Sequence, residues 1–125
     1  GELNALELLK SYDFSPFKEV TAKNSTREDL DFSQSRYFIN QWSLEKYAVG
    51  ENLFGPFIAV TINATEIEFV LLGDAENYES EVEKTNEIVK YLVTSQIPFS
   101  WRAYSYDFGS AYASEQKQGT SADFS

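Results

Sequence analysis

Two apolar runs in the middle of the chain set its pattern. Phe57-Ile-Ala-Val-Thr-Ile-Asn63 and Glu66-Ile-Glu-Phe-Val-Leu-Leu72 are rich in β-branched and aromatic side chains, with a short Asn-Ala-Thr connection between them. Such a pair predicts a β-hairpin. Side chains alternate across a strand, so Ile58, Val60 and Ile62 share one face with Ile67, Phe69 and Leu71, while Thr61, Asn63, Glu66 and Glu68 point the other way. From Glu76 to Gln96 the period changes. Tyr78, Val82, Ile88, Val89, Leu92 and Val93 follow a 3.6-residue repeat that stops at Ile97-Pro98, which predicts the long helix of the chain. Beyond it, Phe99 to Phe108 alternates again, placing Phe99 and Trp101 on one face and Arg102, Tyr104, Tyr106 and Phe108 on the other.

The N-terminal part is less regular. Leu3, Ala5, Leu6, Leu8, Leu9 and Tyr12 lie near a helical period and predict a short amphipathic helix ending before Ser15-Pro16. Phe17 to Thr21 reads as a strand, and Ser25 and Glu28 within polar residues 22–35 have capping-box spacing for one helical turn. Arg36 to Tyr47 reads as a strand on its aromatic content, with a helix pairing Phe38 and Trp42 as the alternative. Together these elements predict an α+β fold: an antiparallel or mixed β-sheet with one long amphipathic helix packed on it and a short N-terminal helix. Residues 1–112 are expected to form a single domain, and 113–125, rich in Ser, Gly, Ala and Gln, a flexible C-terminal tail.

Composition narrows the chemistry more than the fold. With 42% hydrophobic and 16% aromatic residues, the 125-residue chain can bury a core without staples, so its charge of −10 must decorate a folded surface. That field repels phosphate backbones and anionic headgroups and steers basic proteins inward, which disfavours nucleic-acid and membrane partners. The chain has no Cys, His or Met, which removes disulfides, thiolate nucleophiles, imidazole acid–base chemistry and the usual zinc and haem ligands. No cofactor or metal is implied. Asp29-Leu-Asp31-Phe-Ser33 imitates the start of a calcium loop, but Gln34 replaces the turn glycine and Asn40 the closing Glu. Ser-x-x-Lys spacings at Ser15/Lys18, Ser43/Lys46 and Ser114/Lys117 lack the accompanying motifs of acyl-transferring serines, so no catalytic residue is assigned.

Two features remain as candidate binding sites. In the predicted helix Glu79, Glu83 and Glu87 repeat at i,i+4 as one acidic stripe, in which each like-charge pair costs roughly 0.2–0.5 kcal/mol in an isolated helix. A cationic partner would relieve that repulsion; a solvated face is the plainer alternative. The second feature is the aromatic strand, where Trp101, Tyr104 and Tyr106 are candidate anchors, with Glu66 and Glu68 as a further acidic contribution. The tyrosine row either stays open to a partner or packs beneath the N-terminal helix as a second core layer.

Gly50-Glu-Asn-Leu53 resembles a short stretch of the barstar-like ribonuclease inhibitors, which are small and acidic, whereas Phe54-Gly-Pro-Phe57 departs from the helical continuation in that family. Membership does not follow from four residues. The leading expectation is a non-enzymatic acidic module that binds a basic protein, as an inhibitor or immunity protein neutralising a nucleic-acid-acting toxin or enzyme does. The alternatives are a small-ligand or glycan-binding domain or carboxylate-based hydrolase with a pocket lined by Trp42, Trp101, Tyr104 and Tyr106, and a structural assembly subunit.

Overall fold

The computed structural model describes residues 3–25, 27–40, 58–73, 76–107 and 112–124. It is an α+β unit built on a six-stranded mixed sheet, with the strands in sequence order across it. In chain order the elements are helix α1 (Ala5–Leu8) running into a 3-10 turn (Leu9–Ser11), strands β1 (Lys18–Val20), β2 (Arg36–Ile39), β3 (Val60–Ile62) and β4 (Glu66–Leu72), helix α2 (Tyr78–Thr94), strands β5 (Ser100–Tyr106) and β6 (Glu115–Thr120), and a final 3-10 turn (Ser121–Phe124). β1 to β4 form an antiparallel meander, α2 crosses over to set β5 parallel to β4, and β6 returns antiparallel to β5.

Local chemistry explains the boundaries. The β3–β4 hairpin turns on Asn63, whose Oδ1 accepts from the backbone N–H of Thr65 at 3.0 Å and of Glu66 at 2.8 Å, an Asx-type turn. α1 starts on Asn4, whose side chain accepts from the Glu7 N–H at 2.9 Å. α2 ends where Gln96 adopts a left-handed backbone with φ 59°, and the Ile97 N–H bonds back to the Leu92 carbonyl at 3.3 Å, satisfying a terminal acceptor before Pro98.

The two described α-helices lie on the same face of the sheet. Ile88 and Leu92 of α2, with Ala5 and Leu9 of the N-terminal segment, share one core with Phe38, Val60, Ile62, Ile67, Phe69 and Phe99. The first turns are fastened to the sheet by Arg36. Its guanidinium pairs with Glu19 on the neighbouring strand at 2.8 Å, donates to the Leu9 carbonyl at 3.0 Å, and lies over the Phe14 and Phe38 rings, which stack with centroids 4.0 Å apart. A cation at the C-terminal end of a helical segment is the favourable sign there. On the opposite face a smaller cluster of Val20, Tyr37, Ile39 and Ile58 is covered by Leu30 and Phe32.

The hairpin and long helix follow the sequence pattern closely, with β4 at the expected bounds. The C-terminal region differs from the expectation. Residues Glu115–Thr120, assigned to a flexible tail, form β6 and pair with β5 along their whole length. The side chains of Glu115 to Gln118 are all exposed, so pairing there rests on backbone hydrogen bonds and leaves no hydrophobic alternation to detect. The expected strand at Arg36–Tyr47 is confirmed as far as Ile39, and residues 41–57, with Trp42 and Gly50 to Leu53, lie outside the described residues.

Because Ile88 is fully buried and Glu79 is exposed on the same helix, truncating them should have unequal effects. Ile88→Ala is expected to cost about 2–5 kcal/mol of unfolding free energy, and Glu79→Ala within about 0.5 kcal/mol of zero, in urea denaturation. Equal effects would mean that α2 is packed in a different rotation.

Candidate binding faces of the sheet and helix

Strand alternation divides the candidate residues between the two faces of the sheet. On the face away from the helices, β4 contributes Glu66, Glu68 and Val70, and β5 contributes Arg102, Tyr104 and Tyr106. The parallel register sets Glu68 beside Arg102, Val70 beside Tyr104 and Leu72 beside Tyr106, while Gln118 and Gln116 of β6 stand beside Arg102 and Tyr104. Arg102 is exposed, and Glu66, Glu68, Tyr104 and Tyr106 are half-buried. The tyrosine row therefore does not pack beneath the N-terminal helix, which lies on the other face.

The charges on this face are coupled. Partial burial and the neighbouring Glu66 carboxylate push the Glu68 pKa up, against the opposing pull of Arg102. Arg102 is held above its ordinary value by a hydrogen bond to the Tyr104 side chain and by the Glu66 and Glu68 carboxylates. Two carboxylates and one guanidinium leave the patch short of positive charge. Aromatic bodies with polar tips beside it supply contact area at low rotamer cost.

Trp101 is absent from this patch. Its side chain points to the helix side, packs against the main core, and has its indole Nε1 buried without a hydrogen-bond partner among the described residues. A pocket sharing Trp101 with Tyr104 and Tyr106 is thus ruled out by the period-2 alternation of β5. Gly119 is what lets the indole settle on β6, because a Cβ there would stand 2.7 Å from Nε1.

Glu79, Glu83 and Glu87 form an exposed stripe on the outer surface of α2, on the far side of the helix layer from the open sheet face. They do not join Glu66 and Glu68 in one site. Lys84 pairs with Glu87 at 2.8 Å and holds that carboxylate below its ordinary pKa, so the stripe carries some compensation. The carboxylates of the calcium-like segment are engaged locally, Asp29 by the Arg27 guanidinium and Asp31 by the Ser33 N–H at 3.0 Å and hydroxyl at 2.6 Å.

Two features had not been singled out from the sequence. The first is Glu81, 0% exposed, with neither carboxyl oxygen hydrogen-bonded among the described residues. Burial pushes its pKa from 4.5 up to about 7, against a smaller downward pull from the buried Asn40 side chain. The signal was present in the 3.6 period: Glu81, Thr85, Ile88 and Leu92 form the buried stripe of α2. The second is a cavity of about 520 Å³ between α2 and β5–β6. Val82, Val89 and Val93 line it from the helix and Leu71, Trp101 and Ala103 from the sheet, with Lys90, Glu115 and Lys117 as its charged groups.

No protein-family model matches the chain, and no curated protein or solved structure matches it significantly.

The buried carboxyl gives a pH signature of uncommon sign. Unfolded, Glu81 titrates near 4.5, whereas folded it keeps its proton up to about 7. Its contribution is therefore complete below pH 4.5 and is lost as pH rises toward 7, by up to a few kcal/mol. Glu81→Gln is expected to remove this slope and to be more stable than the parent at pH 8 but not at pH 4.5, by denaturant unfolding. A parent and variant that differ equally at both pH values would contradict the burial of an acidic proton.

Proposed function

We propose that the protein is a non-enzymatic binding module that captures a basic protein on the open face of β4–β6, acting as an inhibitor or immunity protein does. The observation that carries this reading is the convergence of Glu66, Glu68, Arg102, Tyr104 and Tyr106 on the sheet face opposite the two described helices. A partner cation placed between Glu66 and Glu68 relieves their mutual repulsion, and the tyrosines provide the desolvated area around that contact. The charge of −10 attracts a basic partner from a distance, which raises the association rate more than the affinity. Glu79, Glu83 and Glu87 contribute to that steering from the other side of the molecule. Blocking a cationic surface requires neither a nucleophile nor a metal, so the lack of Cys and His is no obstacle to it.

The test is capture from the lysate of the source organism at about 50 and 500 mM salt, a contrast that screens electrostatic attraction. The wild type should retain a basic protein at low salt and release it at high salt. Glu66→Gln/Glu68→Gln should lose that protein, while Glu79→Gln/Glu83→Gln/Glu87→Gln should slow its association and leave dissociation nearly unchanged. Retention that survives the sheet-face substitutions, or the absence of any salt-sensitive partner, would refute the assignment.

A further inference from the structure

The cavity between α2 and β5–β6 is independent of the open sheet face, being on the opposite side of the same strands. Its depth comes from side-chain size. The helix contributes Val82, Val89 and Val93, whereas the β5 positions beneath are Ala103 and Ser105, too small to meet them. The volume left, about 520 Å³, falls within the roughly 300–1,000 Å³ typical of small-molecule sites. Trp101 lies at the end of this face near Gly119, and Ser105 stands beside Glu115 at the other end.

The charge around the cavity runs against the charge of the chain. Across the whole sequence 20 acidic residues face 10 basic ones, yet among the described residues the charged lining is Lys90 and Lys117 against Glu115. Lys117 pairs with Glu115 at 3.1 Å, whereas Lys90 forms no ion pair among the described residues. A valine-lined trough with an uncommitted ammonium beside it is complementary to one kind of small molecule. We infer that this groove binds an amphiphilic anion, an apolar chain or ring system carrying a carboxylate or similar acid, with the apolar body against Val89, Val93 and Ala103 and the acid group at Lys90.

The probe is dodecanoate, titrated calorimetrically below its micellar concentration, with dodecyltrimethylammonium as the opposite-charge control. Saturable one-to-one binding of dodecanoate is expected, with the cationic amphiphile weaker. Lys90→Gln should weaken dodecanoate by roughly two- to fivefold, the range for an exposed ion pair, and narrow the preference over the cation. Ala103→Leu fills the trough from the sheet and Val93→Glu places a carboxylate in it from the half-buried side of the helix, so at least one folded variant tests occupancy if the other fails to fold. Either should abolish binding while circular dichroism stays native. No saturable dodecanoate binding, equal or tighter binding of the cationic amphiphile, or unchanged affinity in a folded blocking variant would overturn the inference.

Discussion

The packing of Ile88 and Leu92 of α2 onto Ile67 and Phe69 of β4 governs what the rest of the molecule can do. Two parallel neighbours cannot be joined by a tight turn, so β4 and β5 need a crossover, and a helix making that crossover must lie on one face of the sheet. Once α2 occupies the face of Ile67, Phe69 and Trp101, period-2 alternation assigns Glu66, Glu68, Arg102, Tyr104 and Tyr106 to the other. α1 packs beside α2 and not opposite it, held by the Arg36 contacts to Glu19 and the Leu9 carbonyl. The main core thereby lies on one face, and the β4–β5 part of the other carries the polar and tyrosine side chains.

The same crossover accounts for the two less expected features. A helix whose buried stripe begins at Glu81 carries a carboxyl into the interior, where burial away from water favours the neutral form against the smaller pull of Asn40. A helix seated on β4 also cannot fill the space over β5 and β6 when the side chains there are Ala103 and Ser105, and the groove is the result. Neither feature touches the open face, so its chemistry can be altered without disturbing the helix layer.

How much of this was legible from residues alone follows from which signals are local. The hairpin, α2 and the division of Glu66 and Glu68 from Ile67 and Phe69 were readable because burial on one face writes a strict period into the sequence. β6 was not, since Glu-Gln-Lys-Gln-Gly-Thr at an edge buries almost nothing and is specified by the backbone of β5. The face on which Trp101 lies could not be chosen, because β5 carries aromatic residues on both sides and only the seat of the helix distinguishes them. Glu81 is hard to read for a related reason: a carboxylate interrupts the apolar pattern even when its spacing to Thr85, Ile88 and Leu92 places it on the buried stripe. The acidic residues of α2 thus look alike in sequence and differ in role only through rotation about the helix axis.

The proposed function requires Tyr104 and Tyr106 to belong to a recognition face and not to the core. The most direct measurement takes Tyr104→Ala/Tyr106→Ala and determines its unfolding free energy together with its salt-sensitive retention of a basic partner. A stability within about 2 kcal/mol of the parent, as for truncations away from a packed core, is expected together with loss of retention. A loss of about 5 kcal/mol or more, on the scale of large-to-alanine core truncations, or undiminished retention in the folded variant, would contradict it.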